Sequence, residues 1–309
     1  MTSTGRTAAN LPAALEVELG GAPDVDDPGC VTLEHGEGSV RGARGTVLYA
    51  QWWRPCGTVR GAVVVVHGLK DHSSRYGAFA ERLVAQGLAV HAFDLRGHGR
   101  SEGRRAWVDS FGDYVEDLDA AVRCMCARER AVPVFVFGQG MGGSISALWA
   151  IERAPAIAGL LLSGAALQAG SAPTEARATR MLAALAPRAR IFQLDLRRTS
   201  RDRSTVEDAL RDALVHQAPA PARTAKELLD AMEQIDARSS ELSVPVLAMH
   251  GSEDVVSPPE GSRRLFARVA SADKQLYVYD GLAHDLLHEP ERVRVVRDVI
   301  EWLTDRAGC

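Results

Sequence analysis

With 309 residues, 46% hydrophobic and 25% charged, the chain is long enough for one large core carrying an inserted subdomain. A net charge of -4 provides no basic footprint, which excludes a nucleic-acid partner and an electrostatic hold on an anionic membrane. The five cysteines, Cys30, Cys56, Cys124, Cys126 and Cys309, are odd in number and scattered, so reduced thiols are expected. Residues 1 to 30 lack a cationic start followed by an apolar run, and a cytoplasmic location is expected.

The opening segment, Met1 to Glu37, is rich in Gly, Pro, Ala and acids, shows no period and reads as a loosely attached tail. Thr46 to Trp53 alternates like an antiparallel strand, and Ala62 to Val66 is a continuous apolar run suited to a central strand covered on both faces. Helix and strand then take turns: Tyr76 to Gln86, Leu88 to Phe93, Phe111 to Ala127, Pro133 to Phe137, Met141 to Arg153 and Ile157 to Leu162. The uncharged stretch Ala154 to Thr174 holds only a strand-length apolar part, well short of the ~20 residues of a membrane span, so no transmembrane segment is expected. Between Ala165 and Asp236 the alternation stops, and two amphipathic helical patterns, Glu175 to Leu185 and Thr224 to Ile235, read as an inserted cap. It resumes with Val244 to Met249, Pro259 to Val269, Gln275 to Tyr279 and Glu291 to Arg306. Such alternation implies right-handed crossovers and a mostly parallel sheet flanked by helices, an α/β fold. The expected division is a tail over residues 1–37, a core over 38–169 and 237–309, and a helical cap over 170–236.

The chemistry sits at the strand ends. Gly138-Gln139-Gly140-Met141-Gly142 turns a strand into a helix, the setting of a G-x-S-x-G nucleophile elbow, but the residue at the nucleophile position is Gly140. Covalent ester cleavage needs an oxygen nucleophile, a histidine to carry its proton and a carboxylate to orient that histidine, in the chain order nucleophile, acid, base. Asp254 follows the strand Val244 to Met249 and His284 follows the strand Gln275 to Tyr279, in that order. Either alone would be a turn former or a structural histidine; together on successive strand ends they form a dyad. An oxyanion hole would use the backbone N–H of Met141 and that of Leu69, in the His67-Gly68-Leu69 turn after Ala62 to Val66.

On these residues the chain resembles the monoacylglycerol lipase and lysophospholipase branch of the serine α/β-hydrolases. The resemblance rests on His67-Gly68-Leu69-Lys70-Asp71-His72-Ser73-Ser74-Arg75-Tyr76, on Asp94-Leu95-Arg96-Gly97-His98-Gly99-Arg100-Ser101-Glu102-Gly103, and on the Asp254 and His284 blocks. It implies an α/β-hydrolase fold, lipid or other small-molecule esters as substrates, and an apolar groove under the cap, with Leu182, Leu185, Leu228 and Met232 as lining. No cofactor is implied. The chain departs from the family at Gly140, which removes the attacking oxygen, whether by engineering or by descent.

Gly138, Gly140 and Gly143 also spell G-x-G-x-x-G, but the unit comes after several strands and no acid ends the next one, which argues against a dinucleotide. Ser144 is expected to pack within its helix, and Ser73 and Ser74 to bond locally, so none replaces the serine. The nine histidines show no metal-ligand spacing. Two alternatives to a disabled hydrolase remain: a lipid or small-molecule binder, and an enzyme using the His284 and Asp254 dyad as general base for another reaction.

Overall fold

The computed structural model describes residues 33–170 and 173–308. Among them, eight strands form one sheet in the order β1-β2-β4-β3-β5-β6-β9-β10. These are β1 (Leu33–Arg41), β2 (Val47–Pro55), β3 (Gly61–Val66), β4 (Leu88–Phe93), β5 (Val134–Gln139), β6 (Gly159–Ser163), β9 (Val246–Gly251) and β10 (Lys274–Tyr279), while β7 (Arg190–Phe192) and β8 (Ala220–Pro221) pair apart from it. From β4 to β10 all pairings are parallel; β1 with β2 and β2 with β4 are antiparallel. This is the mostly parallel sheet flanked by helices that the alternation implied, and the α/β-hydrolase architecture that the resemblance implied.

The apolar run of β3 serves both faces at once. Val64 and Val66 join one core cluster with Tyr114, Leu118, Ile145 and Trp149, while Val63 and Val65 join the other with Leu83, Val299 and Trp302. Helices α2 (Phe111–Arg128) and α3 (Met141–Arg153) therefore cover one side, and α1 (Gly77–Val84) and α8 (Arg292–Ala307) the other. Helix α7 (Pro259–Arg268) packs on β9 and β10.

Two expectations change. The tail was expected to run to Glu37, but residues 33–37 already belong to β1; residues 1–32 lie outside the described residues. Strand β1 is held by its backbone ladder to β2 more than by burial: of its nine residues only Leu33 is buried, so it carries no hydrophobic period. The inserted cap, moreover, contains a third helix. It comprises α4 (Pro173–Leu185), α5 (Arg203–Arg211) and α6 (Ala222–Arg238). Helix α6 rests on α3 and α2, whereas α4 rests mainly on α6. No helix among the described residues is long and apolar enough to cross a membrane.

Candidate active site

The turn from β5 into α3 puts Gly140 at φ 54°, ψ -117°. That backbone belongs to a region in which a side chain costs about 1–3 kcal/mol and glycine is at ease. The turn is held tightly: the Gly140 N–H donates to the Ser163 carbonyl at 3.0 Å, and the Gly140 carbonyl accepts from Gly143 and Ala166 at 3.0 Å each. Two residues on, a β-carbon on Gly142 would stand 2.1 Å from the Val66 carbonyl oxygen, so only glycine lets α3 approach β3 this closely. Met141 opens α3, where backbone N–H groups have no partner within the helix and point outward.

Strand ends bring the other residues to the same place. His284 Nδ1 lies 2.8 Å from Asp254 Oδ2. A β-carbon on Gly140 would stand 3.2 Å from His284 Nε2 and 3.9 Å from the Gly68 Cα. The structure thus brings Gly140, Asp254, His284 and the turns bearing Leu69 and Met141 into one place. Gly140, Leu69, Met141 and His284 line one cavity of about 520 Å³, and Asp254 is not part of its wall.

Electrostatics matches this order. Burial works to raise the Asp254 pKa, but the His284 charge, hydrogen bonds from His250 and His284 and the Ser257 N–H hold it well below the usual carboxylate range. Burial works to lower the His284 pKa, yet the Asp254 charge and hydrogen bond, with Asp285 and Asp71 beyond, raise it above the ordinary histidine value. The Asp254 carboxylate is fixed on all sides: Oδ1 accepts from the N–H groups of Val256 and Ser257 at 2.8 and 2.9 Å, and Oδ2 also lies 3.0 Å from His250 Nε2. His250 Nδ1 is in turn 2.8 Å from Ser262 Oγ.

The part played by His250 was not anticipated, although its place four residues before Asp254 at the end of β9 was a signal. A second missed group is the network of buried Asp71 and Asp285 with half-buried Arg75 in the cavity wall. Asp71 accepts from Arg75 at 2.9 Å and from the Tyr76 hydroxyl at 3.0 Å, and Arg75 Nη2 lies 3.6 Å from Asp285. Burial works against charge on Asp71, but Arg75, His67 and His288 hold its pKa well below the usual range. The sequence shows Asp71 and Arg75 within the His67 to Tyr76 block and Asp285 directly after His284, but not that they face the cavity.

Ser144, Ser73 and Ser74 are engaged elsewhere. Ser144 Oγ donates to the Ala166 carbonyl at 2.5 Å, Ser73 Oγ to Asp94 at 2.6 Å, and Ser74 Oγ accepts from Gln51 at 3.0 Å. The cap contributes Leu228 and Met232 to the cavity, as expected, together with Val215, Ala225 and Leu229. Leu182 and Leu185 are a correction: neither lines it, and Leu185 is 77% exposed. The α4 residues facing the cavity are Glu175 and Thr179, one turn apart; Ala183, a further turn along, is the buried residue of that helix.

Comparison with known proteins agrees with this geometry. Residues 57–291 match the model of the family described as "Serine aminopeptidase, S33". A monoacylglycerol lipase of Mycolicibacterium smegmatis is 35% identical over 88% of this chain and 98% of its own length. Human monoglyceride lipase is 32% identical over 86% and 89%. The crystal structure of the monoacylglycerol lipase of Paleococcus ferrophilus, 31% identical, superposes with a TM-score of 0.75 over 84% of this chain and 99% of that one. The chain therefore belongs to the monoacylglycerol lipase-like members of the α/β-hydrolase superfamily.

Proposed function

We propose that this protein is a monoacylglycerol lipase scaffold turned to binding: it holds a long-chain acyl ligand in the cavity between core and cap without cleaving it through a covalent intermediate. One observation carries the reading. At the position 3.2 Å from His284 Nε2, where a side chain would begin, Gly140 has none, while the rest of the constellation is intact. A base without a nucleophile cannot form an acyl-enzyme. The residual power of such a site comes from the oxyanion donors and from binding, on the order of 10³–10⁴ over the uncatalysed rate. Were serine at position 140, His284 would take its proton, Asp254 would steady the resulting imidazolium, and the N–H groups of Leu69 and Met141 would hold the oxyanion. Lipid esters are the ligand class that the named relatives support.

The disabled reading makes a two-sided test. The chain as it stands should show no more than that faint background on monoacylglycerols and short p-nitrophenyl esters and should not be labelled by a fluorophosphonate probe. Gly140→Ser should gain both properties. A silent, unlabelled Gly140→Ser variant that is folded would remove the hydrolase machinery from the account. Labelling of the unmodified chain at Ser144, Ser73 or Ser74 would show a relocated nucleophile. A second reading, His284 as general base acting on water, rests on the same open side of the ring; hydrolysis by the unmodified chain without labelling would establish it.

A further inference from the structure

His284 keeps one side of its ring open. Asp254 is an ionised carboxylate and can only accept, so Nδ1, 2.8 Å away, carries the hydrogen of the neutral ring and Nε2 bears the lone pair. Among the described residues Nε2 has no hydrogen-bond partner, and it opens on the 520 Å³ cavity that His284 lines with Gly140. A β-carbon on Gly140 would lie 3.2 Å from Nε2, and beyond its chain neighbours Nε2 is the nearest atom to that spot.

Two donors face the same space. The Met141 N–H opens α3 and has no acceptor within the helix, and the Leu69 N–H donates to no group among the described residues. Both residues line the cavity. Such a pair holds an oxygen on which negative charge develops. With serine at position 140, a hydroxyl would stand between the imidazole and a carbonyl held by these donors, and would engage the lone pair. With glycine the lone pair meets the ligand directly, and the atom beside the held carbonyl carbon is the ligand's own α-carbon.

We propose that the site enolises its ligand: the carbonyl of a long-chain ketone or 3-oxoacyl compound lies against the Leu69 and Met141 N–H groups, and His284 removes a proton from the α-carbon. The inference rests on the acyl-pocket reading above and adds a reaction to it. The proton passes to Nε2, the C–H electron pair becomes the C=C bond of an enolate, and the carbonyl pair moves onto the oxygen held by the two N–H groups. Return of a proton from Nε2 to carbon restores the ligand, so nothing is oxidised and no leaving group departs. Asp254, beside Nδ1, balances the imidazolium formed in between. Simple esters suit this step poorly, because the ester oxygen feeds electrons into the carbonyl and leaves the α-hydrogens weakly acidic. A ketone lacks that donation, and a 3-oxoacyl group spreads the charge over two oxygens.

The test follows the α-hydrogens of 2-tridecanone in heavy water by proton NMR, with calorimetric titration of this ketone and of dodecanoate into the whole protein. The ketone carries a long chain and no bond that hydrolysis can break. The unmodified chain should exchange the α-hydrogens on the order of 10²-fold faster than the same concentration of imidazole. His284→Gln should abolish that acceleration. Gly140→Ala, which sets a methyl group before Nε2 and brings no nucleophile, should abolish it too. A ketone that binds without faster exchange, or fails to bind where dodecanoate binds, overturns the enolising inference and leaves the acyl pocket standing. So does acceleration that survives either substitution. Binding of neither compound overturns both.

Discussion

The core site and the cap above it are built by different means. In the core, backbone groups carry much of the geometry: Gly140 lies in a turn fixed by carbonyl and N–H partners from β6 and α3, and the Asp254 carboxylate is held by two N–H groups as well as by two imidazoles. The cap is held by side chains. The Glu227 carboxylate of α6 accepts from the Phe111 N–H at the start of α2, Thr224 donates to the Ala106 carbonyl, and His72 of the core pairs with Asp212 of the cap at 2.8 Å. Helix α4 is one step further out, with Met181 and Leu185 exposed. Geometry set largely by backbone does not depend on a side chain at position 140, and His284 and Asp254 stand 2.8 Å apart beside a glycine.

The sharpest way to break this comparison is to restore the serine and then disturb the acid. In Gly140→Ser, a further Asp254→Asn should lower kcat by roughly 10⁴, because the amide favours the wrong imidazole tautomer. The pH profile gives a second readout. The base must be neutral, and Asp254 raises the His284 pKa, so the rate of Gly140→Ser should climb through a pH above the ordinary histidine value and that limb should move down in Asp254→Asn. Stability follows the same pair. A raised His284 pKa contributes stability that is full below its unfolded value and is lost as pH rises through the folded one. The depressed Asp254 pKa contributes stability that is present above its unfolded value and lost as pH falls through the folded one. An acid limb unmoved by Asp254→Asn would deny the coupling.

Replacing a cap clasp should act on stability and leave the dyad alone. Glu227→Ala leaves the buried Phe111 N–H without its acceptor and should cost about 1–3 kcal/mol, read in chemical unfolding. Asp212→Asn should cost less, below about 1 kcal/mol, because Asp212 is partly exposed. Neither change should shift the pH limb of the Gly140→Ser variant, and a shift would show that the cap tunes the dyad. The serine itself has a cost of the same order as the clasp. At φ 54° a side chain adds about 1–3 kcal/mol of strain, and its β-carbon at 3.2 Å from His284 Nε2 requires the ring to yield slightly. Gly140→Ser should therefore unfold at lower denaturant than the parent even as it gains activity.

How much was legible divides along the same line. Parallel strands buried on both faces write themselves as apolar runs, so β3, β4, β5, β6 and β9 were readable as such, while the edge strand β10, mostly not buried, was readable from its place between two helical patterns. Strand β1 was not, because an edge strand bonds through its backbone and its residues are mostly exposed. Its Gly36 looked like loop composition, yet a β-carbon there would stand 2.3 Å from the Trp52 ring. Helix α5 is short and polar with only Val206 and Ala209 buried, but Asp202, whose side chain accepts from the N–H groups of Ser204 and Thr205, was a readable cap. Asp71, Arg75 and Asp285 could not be placed in the cavity wall at all, since nothing in a sequence says which way a loop side chain faces.

The smallest expected effect separates the two cap helices. An amphipathic pattern tells which face of a helix is apolar, but not which neighbour, if any, covers it. Leu228 on α6 is buried and lines the cavity, whereas Leu185 on α4 is 77% exposed and lines nothing. Leu228→Ala should weaken binding of dodecanoate by removing apolar contact, by about 1–2 kcal/mol on the area it buries. Leu185→Gln should change neither ligand affinity nor stability by more than about 0.5 kcal/mol, the usual range for an exposed substitution. If Leu185→Gln weakened binding as much as Leu228→Ala, α4 would have to move over the cavity when ligand enters, and the pocket seen here would be its open form.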